Sequence, residues 1–206
     1  MQTEFVAYLQ LGFLHISDLQ AYDHILFITA LCALYDARQW KHLLWLVTAF
    51  TVGHSITLAL STLNILVIPS TVVELLIPLT IIATSIVNIV TLHSNPTGIQ
   101  HIHAYNTRVQ EWLKYGMALT FGFIHGMGFS SFLKSLLGKE ASITLPLFAF
   151  NCGLECGQVL IVGVLLACTF ITTRILGLAH RDWSLVLSGS ALGVAITLVL
   201  KQIVGT

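Results

Sequence analysis

The chain has 206 residues, of which 56% are hydrophobic and only 9% are Asp, Glu, Lys or Arg. A soluble domain has roughly 25% charged residues, so these charges are too few to cover a surface that faces water. The formal net charge is zero, and no basic stripe or tail indicates a nucleic-acid-binding protein. Together with a mean hydropathy of +0.87, this composition predicts an integral membrane protein in contact with the lipid bilayer.

The apolar residues fall in runs of about 20, the length that an α-helix needs to cross roughly 30 Å of hydrocarbon. We predict an all-α fold, a single transmembrane helical domain over residues 1–206. Its predicted spans, about six in number, are 20–36, 42–63, 69–92, 113–134, 143–170 and 183–203. The stretch 4–16 is too short to cross, so we predict a short N-terminal interfacial or re-entrant helix there.

The distribution of Lys and Arg predicts the orientation, because cytoplasmic loops are enriched in these residues. With six spans, one side of the membrane carries Lys134, Lys139 and Lys201. The other side carries Arg38, Lys41, Arg108, Lys114, Arg174 and Arg181. We therefore expect the second side to face the cytoplasm. The chain is then a multi-pass protein of the cell's inner membrane, and its N-terminus is extracytoplasmic.

Ionisable side chains inside the apolar runs are the strongest functional signal in the sequence. These residues, which lie within or just before the predicted spans, are His15, Asp23, His24, His54, Glu74, His125 and Glu155. An ionised acid costs roughly 2.5–3.5 kcal/mol at the centre of a membrane helix. Lys and Arg residues occur only in the predicted loops and at span ends, so salt bridges to them do not offset this cost.

Histidine together with carboxylate is a ligand set suited to divalent first-row metals such as zinc, nickel, cobalt, iron or manganese. In the predicted topology, six of these residues lie in the outer half of the membrane, and His15 lies just before the first span. Unrelated polar residues would scatter through both halves. We therefore predict that these seven side chains form a metal site.

Further polar side chains share one face of the fifth predicted span. Asn151, Glu155 and Gln158 are spaced i, i+4 and i+7. Amides beside a carboxylate are typical partners that orient metal ligands, and we place Ser55, next to His54, in the same supporting group.

Small residues predict where two helices approach closely. Gly122, Gly126 and Ser130 form a small-xxx-small series around His125. The cysteines also lie in apolar runs, where a thiol usually acts as a small hydrophobic group. They are Cys32, Cys152, Cys156 and Cys168.

Most of these polar residues also have an ordinary structural explanation, but Glu155, deep in its predicted span, does not. A lone membrane histidine such as His54 is often hydrogen bonded to a backbone carbonyl. Asp23 and Glu74 lie near span starts, where a helix macrodipole favours negative charge. Asn151 and Gln158 are typical interhelical hydrogen-bonding residues. It is the combination at one depth that favours a metal site.

Several motifs, in order along residues 12–170, resemble those of the HupE/UreJ family of membrane proteins. The matching segments are 12–15, 23–27, 48–55, Glu74, 125–129 and 150–158. HupE and UreJ proteins are regarded as nickel or cobalt permeases near hydrogenase and urease genes. The resemblance therefore implies transport of one of these ions and partners in metalloenzyme maturation. It implies a metal-binding motif of His15, Asp23 and His24, with the other four candidates as polar positions of the family's second branch.

Three functions remain open from the sequence. The first is a metal permease, in which His93, His101 and His103 of the predicted cytoplasmic loop relay the ion. The second is an intramembrane metal-dependent enzyme, hydrolase-like, with one or two metals and an open position for water. The third is a membrane scaffold whose polar groups only pair with one another. Assembly as a homo-oligomer is compatible with all three.

Overall fold

The structure, a computed structural model, describes residues 4–19, 22–94, 108–137 and 143–205. Within these ranges the regular elements are all helical. The α-helices are α1 (Glu4–Ser17), α2 (Asp23–Cys32), α3 (Trp40–Thr62), α4 (Ser70–Ser94), α5 (Arg108–Gly128), α6 (Ser130–Leu137), α7 (Thr144–Phe170) and α8 (His180–Val204). A 3-10 turn, Ala37–Gln39, leads into α3, and α7 continues as a π-helix over Ile171–Ile175. The predicted all-α class is confirmed.

Four helical segments among the described residues are long and apolar enough to cross a membrane. They are Ala37–Thr62, Ser70–Ser94, Thr144–Ile175 and His180–Val204. They correspond to the second, third, fifth and sixth predicted spans. The predicted count of about six is not confirmed. The predicted fourth span is divided at Phe129 between α5 and α6, and the predicted first span contains only the ten-residue helix α2.

The two short N-terminal helices run in the same direction as α7. Along α1, Leu9 meets Gly153 and Ile16 meets Gly157. α2 then begins beside the end of α1, and the Tyr35 carbonyl that follows it accepts a hydrogen bond from His180, at the start of α8. At about 1.5 Å per residue, the 14 residues of α1 and 10 residues of α2 extend about 21 and 15 Å. A helix is present in the stretch predicted to be interfacial or re-entrant, but its position in the membrane stays a prediction.

Glycines bring α1 into backbone contact with α7. A Cβ atom added to Gly12 would overlap the carbonyl oxygen of Phe150, and one added to Gly153 would overlap that of Leu9. Association of membrane helices depends on packing because lipid removes the hydrophobic driving force, so small residues that permit close approach are favoured. This contact fixes α1, and with it His15, against α7.

A second glycine contact joins α3 to α5. A Cβ on Gly122 would overlap the Phe50 carbonyl oxygen, and one on Gly126 would overlap that of His54. A Cβ added to Gly53, in α3, would likewise overlap the backbone of α5. The predicted close approach at Gly122 and Gly126 is confirmed, whereas Ser130 lies beyond it, in the first turn of α6.

A buried asparagine joins α4 to α2 and α8. The Asn88 amide donates one hydrogen bond of 2.7 Å to the Ala30 carbonyl and another of 3.3 Å to the Ser188 hydroxyl. Ala30 lies in the last turn of α2, where its carbonyl accepts only a long backbone hydrogen bond of 3.4 Å from the Ala33 N–H. In lipid such groups must be satisfied by protein, so Asn88 stabilises the end of α2.

We expect Asn88→Leu, which keeps the approximate size but removes the donor, to lower the free energy of unfolding by about 1–3 kcal/mol. Thermal unfolding in detergent measures this change. Thr197→Val is the control, because the Thr197 hydroxyl bonds to Val194 within its own helix. Equal stability of the two variants would contradict the role of Asn88.

Candidate metal centre

Three histidines from three helices meet inside the bundle. His15 lies in the last turn of α1, His24 in the first turn of α2 and His54 in the middle of α3. Each offers one ring nitrogen, and these nitrogens all lie within 4.8 Å of one another. Nitrogens bound to the same ion are at most about 4 Å apart, so modest side-chain rotation is sufficient to bring all three onto a single ion.

The Asp23 carboxylate orients His24. The Nδ1 atom of His24 lies 3.2 Å from Oδ1 of Asp23. A carboxylate only accepts, so in the neutral ring Nδ1–H donates and the lone pair is on Nε2. That Nε2 atom is buried and has no hydrogen-bond partner among the described residues. A carboxylate behind a histidine in this way is the usual support of a metal-binding imidazole.

His125, from α5, is oriented in an equivalent way by its own backbone. Its Nδ1 atom lies 2.9 Å from the carbonyl oxygen of Phe121, so Nδ1–H donates and Nε2 keeps its lone pair. The Nε2 atom is again buried without a partner in the described parts of the chain. The His125 ring centroid is 5.2 Å from that of His24, which makes it a fourth imidazole beside the cluster.

His54 is fully buried, and neither of its ring nitrogens has a hydrogen-bond partner among the residues that the structure describes. The ordinary explanation, a hydrogen bond to a backbone carbonyl, therefore holds for His125 but not for His54. An unsatisfied buried polar atom costs about 1–3 kcal/mol. A cation bound between the histidines would accept a lone pair from each ring and so satisfy these nitrogens together.

Aromatic rings enclose the cluster. Phe129 lies 3.9 Å from the His15 ring centroid and stacks on Phe150, while Phe50 lies 5.2 Å from His125 and stacks on Phe27. A site from which water is excluded strengthens electrostatic interactions with an ion. The sequence prediction did not include these phenylalanines; their only sequence signal is that several adjoin the polar motifs.

The two glutamates predicted as ligands lie elsewhere. Glu74 is exposed and accepts a hydrogen bond of 2.9 Å from Gln202 of α8. Glu155 accepts one of 2.5 Å from the Thr48 hydroxyl of α3. The structure thus brings together His15, Asp23, His24, His54 and His125 and leaves both glutamates outside this cluster.

The predicted supporting residues pack near the cluster without a hydrogen bond to its histidines. Gln158 accepts from the Thr51 hydroxyl at 2.7 Å, and Ser55 donates to the Thr51 carbonyl at 2.6 Å. Asn151 is half-buried, and its Oδ1 atom has no partner in the described residues.

Of the histidines predicted to relay an ion, His93 is exposed near the end of α4. His101 and His103 lie outside the described residues.

A family model described as HupE / UreJ protein matches residues 1–203, almost the whole chain. The chain belongs to the HupE/UreJ family. This family is generally related to nickel and cobalt transport, and together with the four apolar helices it indicates a membrane location. Comparison with curated proteins and with solved structures gives no match.

We expect Asp23→Asn to weaken nickel binding by about 10–100-fold, because the carboxylate no longer raises the basicity of His24. Equilibrium titration of the detergent-purified protein with nickel measures this. Asp18→Asn, an exposed carboxylate five residues earlier, is the matched control. Equal affinity of the two variants would contradict an orienting role for Asp23.

Proposed function

We propose that the protein is a permease for a divalent transition metal ion, nickel or cobalt, which rests at the histidine cluster as it crosses the membrane. The observation that carries the proposal is the set of buried ring nitrogens without partners on His15, His24, His54 and His125. Membership of a family related to nickel and cobalt transport supports the choice of ion. Imidazole nitrogen suits nickel and also zinc and iron, whereas manganese favours oxygen donors, so it is the family that supports nickel or cobalt over zinc and iron.

Transport requires that the histidine cluster release its ion as well as bind it. Four neutral imidazoles bind an ion without cancelling its charge, and the Asp23 carboxylate acts through His24. Conduction requires a site that is favourable enough to enter and weak enough to leave. A scaffold role is disfavoured, because a structural polar cluster would pair its own groups, whereas these nitrogens lack partners within the described chain.

An intramembrane metalloenzyme is the second candidate, because three histidine ligands and an open position are the donor set of one class of catalytic zinc site. The two functions differ in how tightly metal is held. A catalytic centre keeps its ion through purification and dialysis, whereas a permease exchanges it.

The cluster lies near the half of α7 that contains its N-terminus, because His15 and His54 both contact the Phe150 ring. With the orientation predicted from Lys and Arg, this half faces outward in the inner membrane. The ion then enters from the extracytoplasmic side and leaves towards the far end of α7. In this proposal the membrane potential or an ion gradient drives the movement.

Uptake of radioactive nickel by proteoliposomes tests the proposal. We expect time-dependent accumulation that saturates with nickel concentration and is lost in His24→Ala. Glu74→Gln is the control and is expected to transport normally, since Glu74 is exposed and apart from the cluster. No uptake, together with metal that stays bound through dialysis, would overturn the permease in favour of the enzyme.

A further inference from the structure

Further along α3 and α7, polar side chains of the two helices face each other. The Thr48 hydroxyl donates to Oε1 of Glu155 at 2.5 Å, and the Thr51 hydroxyl lies 2.7 Å from Oε1 of Gln158. Side-chain hydrogen bonds between membrane helices contribute modestly to stability. A carboxylate is not needed for that purpose, so the presence of Glu155 requires another explanation.

This group lies beyond the histidine cluster in the direction of the C-terminal end of α7. Thr51 and Thr48 precede His54 by three and six residues, which is about 4.5 and 9 Å along a helix. Glu155 follows Phe150, the ring that stacks near His54, by five residues, or about 7.5 Å. An ion leaving the histidines towards the predicted cytoplasmic side meets this group next.

Gln158 of this group, and Asn151 between the group and the histidine cluster, each contain a buried atom without a partner among the described residues. Gln158 is fully buried, and its Nε2 atom is unsatisfied. The single hydroxyl hydrogen of Thr51 faces both Gln158 Oε1 and the Val47 carbonyl. If the Gln158 amide is turned by 180°, Nε2–H donates to Thr51, the Thr51 hydrogen goes to Val47, and Oε1 becomes the unsatisfied atom.

Asn151 supplies the second such atom, Oδ1. Asn151 and Gln158 lie one turn on either side of Glu155, on the same face of α7. With the Gln158 amide turned, this face presents one carboxylate and two amide oxygens. Carboxylate and carbonyl oxygens are hard ligands that bind divalent ions, but they hold nickel and cobalt less tightly than imidazole does.

We propose that Glu155 and Gln158 form a second cation station, made of oxygen donors, which receives the divalent ion from the histidine cluster, with Asn151 on the path between the two sites. This inference rests on the proposed permease function and deepens it. The histidine cluster selects the ion, and the oxygen station, weaker for the same metal, allows its release. Conduction through successive sites of moderate affinity requires such a division.

The experiment compares Glu155→Gln with Glu74→Gln, two changes of the same kind at different places. Glutamine at position 155 keeps an acceptor for the Thr48 hydroxyl, which favours normal folding. We expect Glu155→Gln to bind nickel at the histidine cluster with unchanged affinity and to take up nickel at least about tenfold more slowly. Glu74→Gln is expected to match the wild type in both measurements.

Manganese, which favours oxygen ligands, probes the second station directly. In a His24→Ala background, which weakens the histidine cluster, electron paramagnetic resonance is expected to detect bound manganese. Adding Glu155→Gln is expected to weaken that binding at least about tenfold, and Gln158→Met provides a second change of similar shape. Size-exclusion chromatography confirms the fold of each variant.

Two results would overturn the second station. Loss of nickel binding in Glu155→Gln as large as in His24→Ala would place Glu155 in the histidine site. Wild-type uptake and manganese binding in Glu155→Gln would show that no ion rests there. If the wild type takes up no nickel, the permease proposal fails, and the manganese measurement still decides whether Glu155 belongs to a cation site.

Discussion

His54→Leu is expected to abolish nickel binding and, at the same time, to stabilise the metal-free protein. His54 is fully buried, and both of its nitrogens lack partners in the described chain. Without metal these atoms are desolvated and unpaired, which costs about 1–3 kcal/mol, and leucine removes that cost while filling most of the space. Loss of a direct ligand should lower nickel affinity by at least about 100-fold, since loss of an indirect one already costs 10–100-fold.

Nickel titration and thermal unfolding of metal-free protein in detergent measure these two effects. His42→Leu, an exposed position on the same helix α3, is the control and should retain nickel binding. A purely structural histidine gives the opposite combination, in which metal-free protein is destabilised by His54→Leu and affinity for nickel is the same in both variants. That combination would remove His54 from the metal site.

Gly153→Val is expected to displace α1 from α7. Its Cβ would overlap the backbone carbonyl of Leu9, and backbone cannot move aside as a flexible side chain does. Overpacking of a tight interior costs typically about 1–3 kcal/mol, and a clash with backbone is at the upper end of this range. Because α1 carries His15, we expect nickel affinity to fall together with stability.

Gly163→Val is the matched control, because Gly163 lies on the same helix with no atom within 4 Å of an added Cβ. Both changes introduce the same β-branched side chain into α7, so their difference isolates the contact with α1. Unfolding temperature and nickel titration measure the two effects. If the two variants are equally stable and bind nickel equally well, the contact between α1 and α7 is not required for the site.

Much of the helical framework could be predicted from apolar runs alone. The predicted spans 42–63, 69–92, 143–170 and 183–203 agree closely with α3, α4, α7 and α8, because a long apolar run in lipid must satisfy its backbone as a helix. The first and fourth predicted spans differ from the structure. An apolar run does not distinguish one long helix from two short ones, since contacts with other helices determine where each ends.

The histidines of the cluster could be predicted because depth in the membrane follows from position in a span. Depth does not give the direction in which a side chain points around its helix axis. Glu74 lies in the second turn of α4, where its neighbours Val73 and Ile77 are buried while Glu74 itself faces Gln202. Glu155 lies outside the cluster for another reason. It is five residues further along α7 than Phe150, whose ring contacts the cluster.

X-ray absorption spectroscopy of the nickel-loaded, detergent-purified protein tests the central claim, that the histidine cluster binds the ion. We predict a first shell of nitrogen or oxygen at about 2.0–2.1 Å with the multiple-scattering signature of at least three imidazoles, lost in His54→Leu. A shell of oxygen atoms without imidazole scattering, or the same spectrum in His54→Leu, would contradict it.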